Sequence, residues 1–137
     1  MGDEPQLLST AIEELLRAYA PVTMARYVAE DVELAGVKVC AGQRMLLPFP
    51  AANRDPSRFP DADKVVIDRA ENRHVTFGLG IHRCLGSNLA RMELRIAVEE
   101  WLRHFPEFEL AEPAAVTWSV GQIRGLRRLP VRILPTR

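Results

Sequence analysis

The chain has 137 residues, and 18 lysines and arginines balance 18 aspartates and glutamates, so the formal net charge is zero. A chain of this length can form one domain that buries roughly two-thirds of its unfolded surface. The balanced charge gives no general support to nucleic-acid binding, and no apolar run approaches the roughly 20 residues of a membrane span. Cys40 and Cys84 are too few for a disulfide framework and suit a reducing cytoplasm.

The first predicted element is a helix over residues 7–18, which Pro21 ends. Glu14 and Arg17 lie three positions apart on it, so they share one helical face and can form an ion pair. The ordinary interpretation of such a pair is a surface salt bridge that contributes under about 1 kcal/mol.

A β-rich segment is predicted over residues 22–49, with strand patterns at 28–33, 37–40 and 44–47. Ala-Gly turns separate the strands, and Pro48 ends the last one. Cys40 lies in a short hairpin, where a small packed residue is more typical than a ligand.

Residues 50–73 are polar and contain three prolines, which predicts a loop of successive turns. A loop of this length in a compact domain is usually functional or held by specific contacts.

The stretch Phe77-Gly78-Leu79-Gly80-Ile81-His82-Arg83-Cys84-Leu85-Gly86 carries most of the reactive chemistry. Apolar residues then recur at three- and four-residue steps, which predicts a helix over residues 85–104. Cys84 is therefore expected at a helix N-terminus, where unpaired N–H groups favour a thiolate. A thiolate can bind a soft metal or haem iron, or act as a nucleophile.

The chain is expected to end in short strands at residues 108–110, 115–118 and 129–134. A loop with two glycines, residues 120–128, joins the last two strands. Pro130 lies in the final strand, which indicates an edge position.

The stretch around Cys84 resembles the cysteine-ligand loop of the cytochrome P-450 family of haem-thiolate monooxygenases. The usual pattern of that loop is Phe-Gly-x-Gly-x-His/Arg-x-Cys-x-Gly. Its six defined positions are filled here by Phe77, Gly78, Gly80, His82, Cys84 and Gly86. The resemblance implies haem b (iron protoporphyrin IX) as cofactor, with Cys84 as the proximal iron ligand and His82 as a propionate partner. Phe77 would shield the sulfur, and Gly86 would let the helix approach the porphyrin.

The resemblance extends over residues 7–134 and implies an α+β, mainly helical fold, the C-terminal part of the family's fold. Its parts are a Glu-x-x-Arg helix, a small β-sheet, a meander loop, the cysteine-ligand loop, a long proximal helix and a C-terminal β-hairpin. Glu14, Arg17 and Arg69 would form a structural triad. Arg26 would bind a propionate or be an ordinary exposed strand arginine, and Ile123 and Gly125 would contact substrate or be plain turn residues.

On this resemblance, residues 1–137 are one haem-ligating segment that lacks the family's distal, oxygen-activating half. The implied activity is insertion of one oxygen atom from O2 into a small hydrophobic organic substrate, with a ferredoxin- or flavodoxin-like electron donor. The donor would dock on Arg73, Arg83, Arg91 and Arg95, which are otherwise a solvated basic face. The alternative is a truncated haem-binding or interaction remnant without turnover, and we expect self-association or pairing with a missing N-terminal segment.

Three other interpretations of Cys84 remain. A zinc site would use His74, His82, Cys84 and His104, but the sequence has no Cys-x-x-Cys or His-x-x-x-His pair. A phosphatase-type nucleophile needs Cys-x5-Arg, and Arg91 stands one position too far along the chain. A buried structural residue is the general interpretation of a lone cysteine.

Overall fold

The computed structural model describes residues 7–119 and 121–135. Three α-helices lie in these ranges: α1 Leu7–Ala18, α2 Phe49–Ala52 and α3 Ser87–His104. The strands are β1 Thr23–Tyr27, β2 Val32–Leu34, β3 Val37–Val39, β4 Arg44–Pro48, β5 Phe108–Leu110, β6 Thr117–Trp118, β7 Leu126–Arg128 and β8 Val131–Ile133. The predicted α+β class is confirmed, with α1 and α3 as its longest elements.

The strands form two-stranded antiparallel ribbons, with pairs β1–β4, β2–β3, β5–β8 and β6–β7. In the first ribbon Thr23 lies opposite Pro48 and Tyr27 opposite Arg44. The strand pattern predicted at residues 28–33 is confirmed only at its end, since β2 begins at Val32, and the prediction missed β1 earlier in the β-rich segment. The local alternation could not indicate this, since the partner β4 lies elsewhere in the chain and fixes the pairing.

The first C-terminal strand, β5, has the predicted bounds, whereas the other two are shorter than predicted. Pro113–Ala115 forms a 3-10 turn, so only Thr117–Trp118 remains of the strand predicted at residues 115–118. The predicted loop at 120–128 contains β7, which pairs with β6. The first residue of that predicted loop, Val120, lies outside the described residues. A single bridge between Val22 and Ile123 joins this hairpin to the start of β1.

Helix α3 begins at Ser87, two residues later than predicted, so Cys84 precedes the helix rather than occupying its N-terminus. A 3-10 turn, Gly80–His82, lies before Cys84. Gly78 has a φ of +72°, and a Cβ there would lie 3.3 Å from the His82 carbonyl oxygen. The loop therefore requires glycine at position 78 for both conformation and space.

The core lies between α1 and the segment of residues 50–73. Its buried apolar residues include Leu8, Ala11, Ile12, Ala18, Phe59 and Ala62. The carboxylate of Glu14 and the guanidinium of Arg17 share this interior, and neither side chain has any exposed surface. The ordinary interpretation of the Glu14–Arg17 pair as a surface salt bridge is therefore wrong.

Both oxygens of Glu14 are occupied by donors. Arg17 donates to Oε1 and Oε2 at 2.7 and 2.8 Å, and Arg69 Nε donates to Oε2 at 3.0 Å. The Val66 N–H adds a bond of 2.8 Å to Oε1, and the Asn72 amide adds one of 3.0 Å to Oε2. Burial raises the pKa of Glu14, but these donors outweigh it and lower the pKa to about 2.

Arg17 completes the attachment of the long loop. Its Nη1 donates to the carbonyls of Asn53 at 2.8 Å and Ala62 at 2.9 Å, and its Nη2 donates to the carbonyl of Lys64 at 2.7 Å. A segment with almost no regular structure is thus held at several points by one guanidinium group.

Helix α3 contrasts with α1. Its apolar residues are largely uncovered, since Leu89, Met92 and Ile96 are 53%, 54% and 52% exposed. Next to it, Ile81 is 97% and Leu85 fully exposed. None of the helices in the described ranges combines the length and apolarity that crossing a bilayer requires.

We expect Glu14→Gln to lower the free energy of unfolding by about 3–5 kcal/mol, because it leaves buried guanidinium groups without their carboxylate. Because the pKa of Glu14 is depressed to about 2, its stabilisation should be complete above about pH 4.5 and lost as the pH falls toward 2. Urea midpoints measured by circular dichroism at fixed protein concentration test both expectations.

The control is Glu109→Gln, which removes an exposed pair with Arg132. This change should lower the free energy of unfolding by under about 1 kcal/mol. A Glu14→Gln midpoint that matched this control would contradict the prediction.

The exposed apolar residues predict association. At about 25 cal/mol per Å², several hundred Å² of uncovered apolar surface is comparable with the stability of a whole domain. Sedimentation should show that, when haem is absent, the chain self-associates, pairs with a further segment or remains partly unfolded. Leu85→Ser should reduce self-association, whereas Lys38→Ser, at a side chain 72% exposed, should not. A compact haem-free monomer with cooperative unfolding would overturn the prediction.

Candidate functional site

The cysteine loop is fastened to α1 through Asn53, a fully buried residue that the sequence analysis missed. Its Nδ2 donates to Thr76 Oγ1 at 2.8 Å and to the Arg17 carbonyl at 3.3 Å, and its Oδ1 accepts from the Val75 N–H at 2.8 Å. Thr76 Oγ1 in turn donates to the Leu16 carbonyl at 2.8 Å. The residues directly before Phe77 are therefore fixed against the end of α1.

The loop closes on itself at Cys84. The Cys84 N–H donates to the Phe77 carbonyl at 2.8 Å, and the Arg83 N–H donates to the Gly80 carbonyl at 3.1 Å. A Cβ on Gly86 would lie 3.8 Å from Cys84 Sγ. Gly86 therefore leaves the space beside the sulfur open.

A cavity of about 1020 Å³ lies against this loop. Arg26, Phe77, Gly78, His82 and Cys84 all contribute to its wall. Most of the remaining wall is apolar and includes Leu16, Val22, Met24, Leu47, Phe49 and Leu94. The structure thus brings five of the six predicted cofactor-binding residues to one cavity, and the sixth, Gly86, lies next to the sulfur.

The donor set of this cavity fits haem. A haem needs a thiolate or similar ligand on its iron, apolar walls against its macrocycle and donors for its two propionates. Cys84 supplies the sulfur and is exposed. His82 and Arg26 carry N–H groups that can donate to the propionate carboxylates. Arg26 Nη1 donates to the neighbouring Ala25 carbonyl at 2.8 Å, and Arg26 also lines the cavity.

The other interpretations of Cys84 do not match this geometry. Within the described residues, no three or more His, Cys, Asp or Glu side chains gather closely enough to hold a metal ion, so the zinc set is not assembled. Arg91, which a phosphatase loop would need, is bonded to Glu13 instead. The exposure of Cys84 is also incompatible with a buried structural cysteine.

Arg91 was expected on a basic docking face, but it is paired with a carboxylate of α1. Its Nε and Nη2 donate to Glu13 Oε1 and Oε2 at 2.5 and 2.9 Å, and its guanidinium lies 4.7 Å from the Phe77 ring centroid. The hydrogen bond from Arg91 lowers the pKa of Glu13, although burial opposes it. Arg91 is thus paired and only 30% exposed, not a free member of a basic face.

The other predicted basic residues differ in how far they are neutralised. Arg95 pairs with Glu99 at 2.9 Å along α3, and Arg73 lies 3.8 Å from Glu71 with a side chain 94% exposed. Arg83 is exposed within the loop itself. Of the four, Arg73 has the longest ion-pair distance and Arg83 forms no salt bridge within the described residues.

The predicted substrate contacts do not line the cavity. Ile123 is 64% exposed and forms a β-bridge with Val22, which is itself a residue of the cavity wall. The N–H of Gly125 donates to Ser119 Oγ at 2.8 Å inside the hairpin. Both residues precede β7 in the segment that follows β6, outside the cavity wall.

The chain is similar to known proteins over most of its length. The family model "Cytochrome P450" matches residues 4–117. The chain is 44% identical over 135 residues to the mycinamicin IV hydroxylase/epoxidase of Micromonospora griseorubida, covering 94% of this chain and 34% of that protein. The solved structure of the Bacillus subtilis polyketide synthase cytochrome P450 PksS matches with a TM-score of 0.91 and 41% identity, over 96% of this chain and 35% of that one.

A second solved structure is P450BioI in complex with an acyl carrier protein ligated to hexadec-9Z-enoic acid. It matches with a TM-score of 0.90 and 40% identity, over 96% of this chain and 35% of that one. The chain therefore spans about a third of the length of the relatives it matches. With the family model covering most of its residues, the chain belongs to the cytochrome P450 family.

Proposed function

We propose that this chain is the haem-ligating segment of a cytochrome P450 monooxygenase that inserts one oxygen atom from O2 into a small hydrophobic organic substrate. The observation that carries the proposal is the apolar cavity of about 1020 Å³ whose wall holds Cys84, His82 and Arg26 together. When bound, haem b supplies the redox chemistry by which oxygen is activated. The name of the mycinamicin IV hydroxylase/epoxidase supports this class of reaction.

Each wall residue has a separate task in the proposal. Cys84 binds the iron as a thiolate, and its backbone is held in place by the Phe77 carbonyl. The Phe77 ring excludes water from one side of the sulfur. His82 and Arg26 donate hydrogen bonds to the propionates, where charge-assisted bonds are strong.

Glu14, Arg17 and Arg69 have a structural task. Their ion pairs are buried away from the cavity wall, so they act on the site by holding α1 and the segment of residues 50–73. We assign residues 1–137 as a single haem-ligating unit, and the oxygen-activating half of the full protein is assigned to the part of the relatives that this chain does not span.

The second candidate is a haem-binding or interaction remnant without turnover. The exposure of apolar residues beside the cavity favours it, since Leu79 is 70% and Ile81 97% exposed. A cavity that solvent enters freely does not protect oxygen chemistry from water. The two candidates differ in whether the chain oxidises fatty acids, terpenes or steroids after reconstitution with haem and reductant.

We expect Cys84→Ser to abolish the thiolate-type Soret band of the ferrous–CO complex, because a serine hydroxyl does not replace a thiolate on iron. Cys40→Ser is the matched control, since Cys40 is the other free cysteine and is also exposed. The control should retain the band. Wild-type protein that binds haem without a thiolate-type band would refute Cys84 as the ligand.

The proposed electron donor is a ferredoxin- or flavodoxin-like protein with an acidic surface. Arg73 and Arg83 are the accessible cations near the cysteine loop, and opposite charges accelerate the encounter of redox partners. We assign the reaction to the cytoplasm, in keeping with the two free cysteines.

Arg83→Glu should slow reduction by such a donor severalfold, and added salt should slow reduction of the wild type. Stopped-flow reduction of the haem-loaded chain measures both effects. Lys38→Glu makes the same charge change in the β2–β3 hairpin and should leave the rate unchanged. Reduction that did not depend on salt would exclude electrostatic docking at this face.

A further inference from the structure

We propose that Glu13 is a positioning residue for Cys84, because its one carboxylate fixes the chain on both sides of the cysteine loop. The inference uses the proposed function only in taking Cys84 as the iron ligand. His74 precedes the loop and Arg91 follows it on α3, and both bond to Glu13. The partners are 61 and 78 residues from Glu13 along the chain.

The contact before the loop has a defined donor and acceptor. The Thr76 N–H donates to His74 Nδ1 at 3.3 Å, so the proton of the neutral ring is on Nε2. His74 Nε2 then donates to Glu13 Oε2 at 3.0 Å. The His74 side chain is only 2% exposed, and this burial lowers its pKa, which favours the neutral ring.

The contact after the loop is a forked ion pair. Two parallel bonds from Arg91 to Glu13 fix both the position and the plane of the guanidinium group. That group lies 4.7 Å from the centroid of the Phe77 ring, within the range of cation–π contacts. Glu13 therefore restrains the Phe77 ring through Arg91.

Phe77 transmits this restraint to Cys84. Its carbonyl accepts the Cys84 N–H at 2.8 Å, and its ring lines the same cavity wall as Cys84. Movement of Arg91 would release one face of Phe77, and movement of His74 would release the backbone leading into Phe77. Both changes act on the direction in which Cys84 presents its sulfur.

Glu13 and Glu14 are neighbours with separate partners. Glu14 is fully buried and bonds to Arg17, Arg69, Val66 and Asn72, which hold α1 and the 50–73 segment. Glu13 is 29% exposed and bonds to residues on either side of the cysteine loop. Substitution of Glu13 should therefore loosen the loop without unfolding the core.

Amide hydrogen exchange of the whole chain tests this without haem. In Glu13→Gln, we expect the Cys84 N–H to exchange about tenfold faster, which corresponds to about 1.4 kcal/mol of local stabilisation lost. Amides of the β1–β4 ribbon should exchange at the wild-type rate. Arg91→Lys, which keeps the charge but not the fork, should act in the same direction, and the double variant should be no faster than Glu13→Gln.

Glu99→Gln is the matched control, because it removes the carboxylate from the exposed Arg95 pair on the same helix. It should leave Cys84 exchange unchanged. The proposal is overturned if Cys84 exchanges in Glu13→Gln at the wild-type rate, if its amide is unprotected in the wild type, or if all amides accelerate equally.

A second readout concerns the ligand itself. With haem bound, the ferrous–CO spectrum of Glu13→Gln should contain a smaller fraction of the thiolate-type band than that of the wild type, while Glu99→Gln should not differ. Equal fractions in Glu13→Gln and wild type would count against positioning. A wild type without this band would refute the proposed function, while the exchange rates would still decide the role of Glu13.

Discussion

The buried carboxylate of Glu14 is the interaction on which the rest of the structure depends. A buried charge is costly unless its oxygens are fully hydrogen-bonded, and here the donors come from Arg17, Val66, Arg69 and Asn72. The most distant of them is 58 residues from Glu14. The helix and the long loop are therefore stable only together, because neither satisfies this carboxylate alone.

The functional loop is attached to the same helix by other residues. Asn53 and Thr76 join the end of α1 to the residues before Phe77, and Glu13 joins α1 to α3. Successive residues of a helix point about 100° apart, so Glu13 and Glu14 can serve different segments. The site thus inherits its position from α1, although none of the charged residues of α1 lines the cavity.

The sequence was sufficient where the signal is local and insufficient where it is not. Helix α1 and the loop around Cys84 could be predicted from neighbouring residues. The start of β1 could not, because it depends on a distant partner strand. The expected basic face includes both Arg91 and Arg95, which lie four positions apart on α3. Helical spacing cannot reveal that a carboxylate 78 residues earlier bonds to only one of them. Asn53 was missed for the same reason, since an asparagine in a proline-rich loop is typical of turns.

Polar and apolar contacts have different effects in this segment. The polar contacts around Glu13, Glu14 and Asn53 are directional, so they fix distances and angles within the site. The apolar residues of α3 and of the cavity contribute less to internal packing, since Leu89, Met92 and Ile96 are each about half exposed. Burial of these residues would stabilise the binding of a flat cofactor, a substrate or a further segment that covers them. The geometry that receives a cofactor is therefore set by hydrogen bonds, while much of the free energy of enclosing it is left to apolar contact.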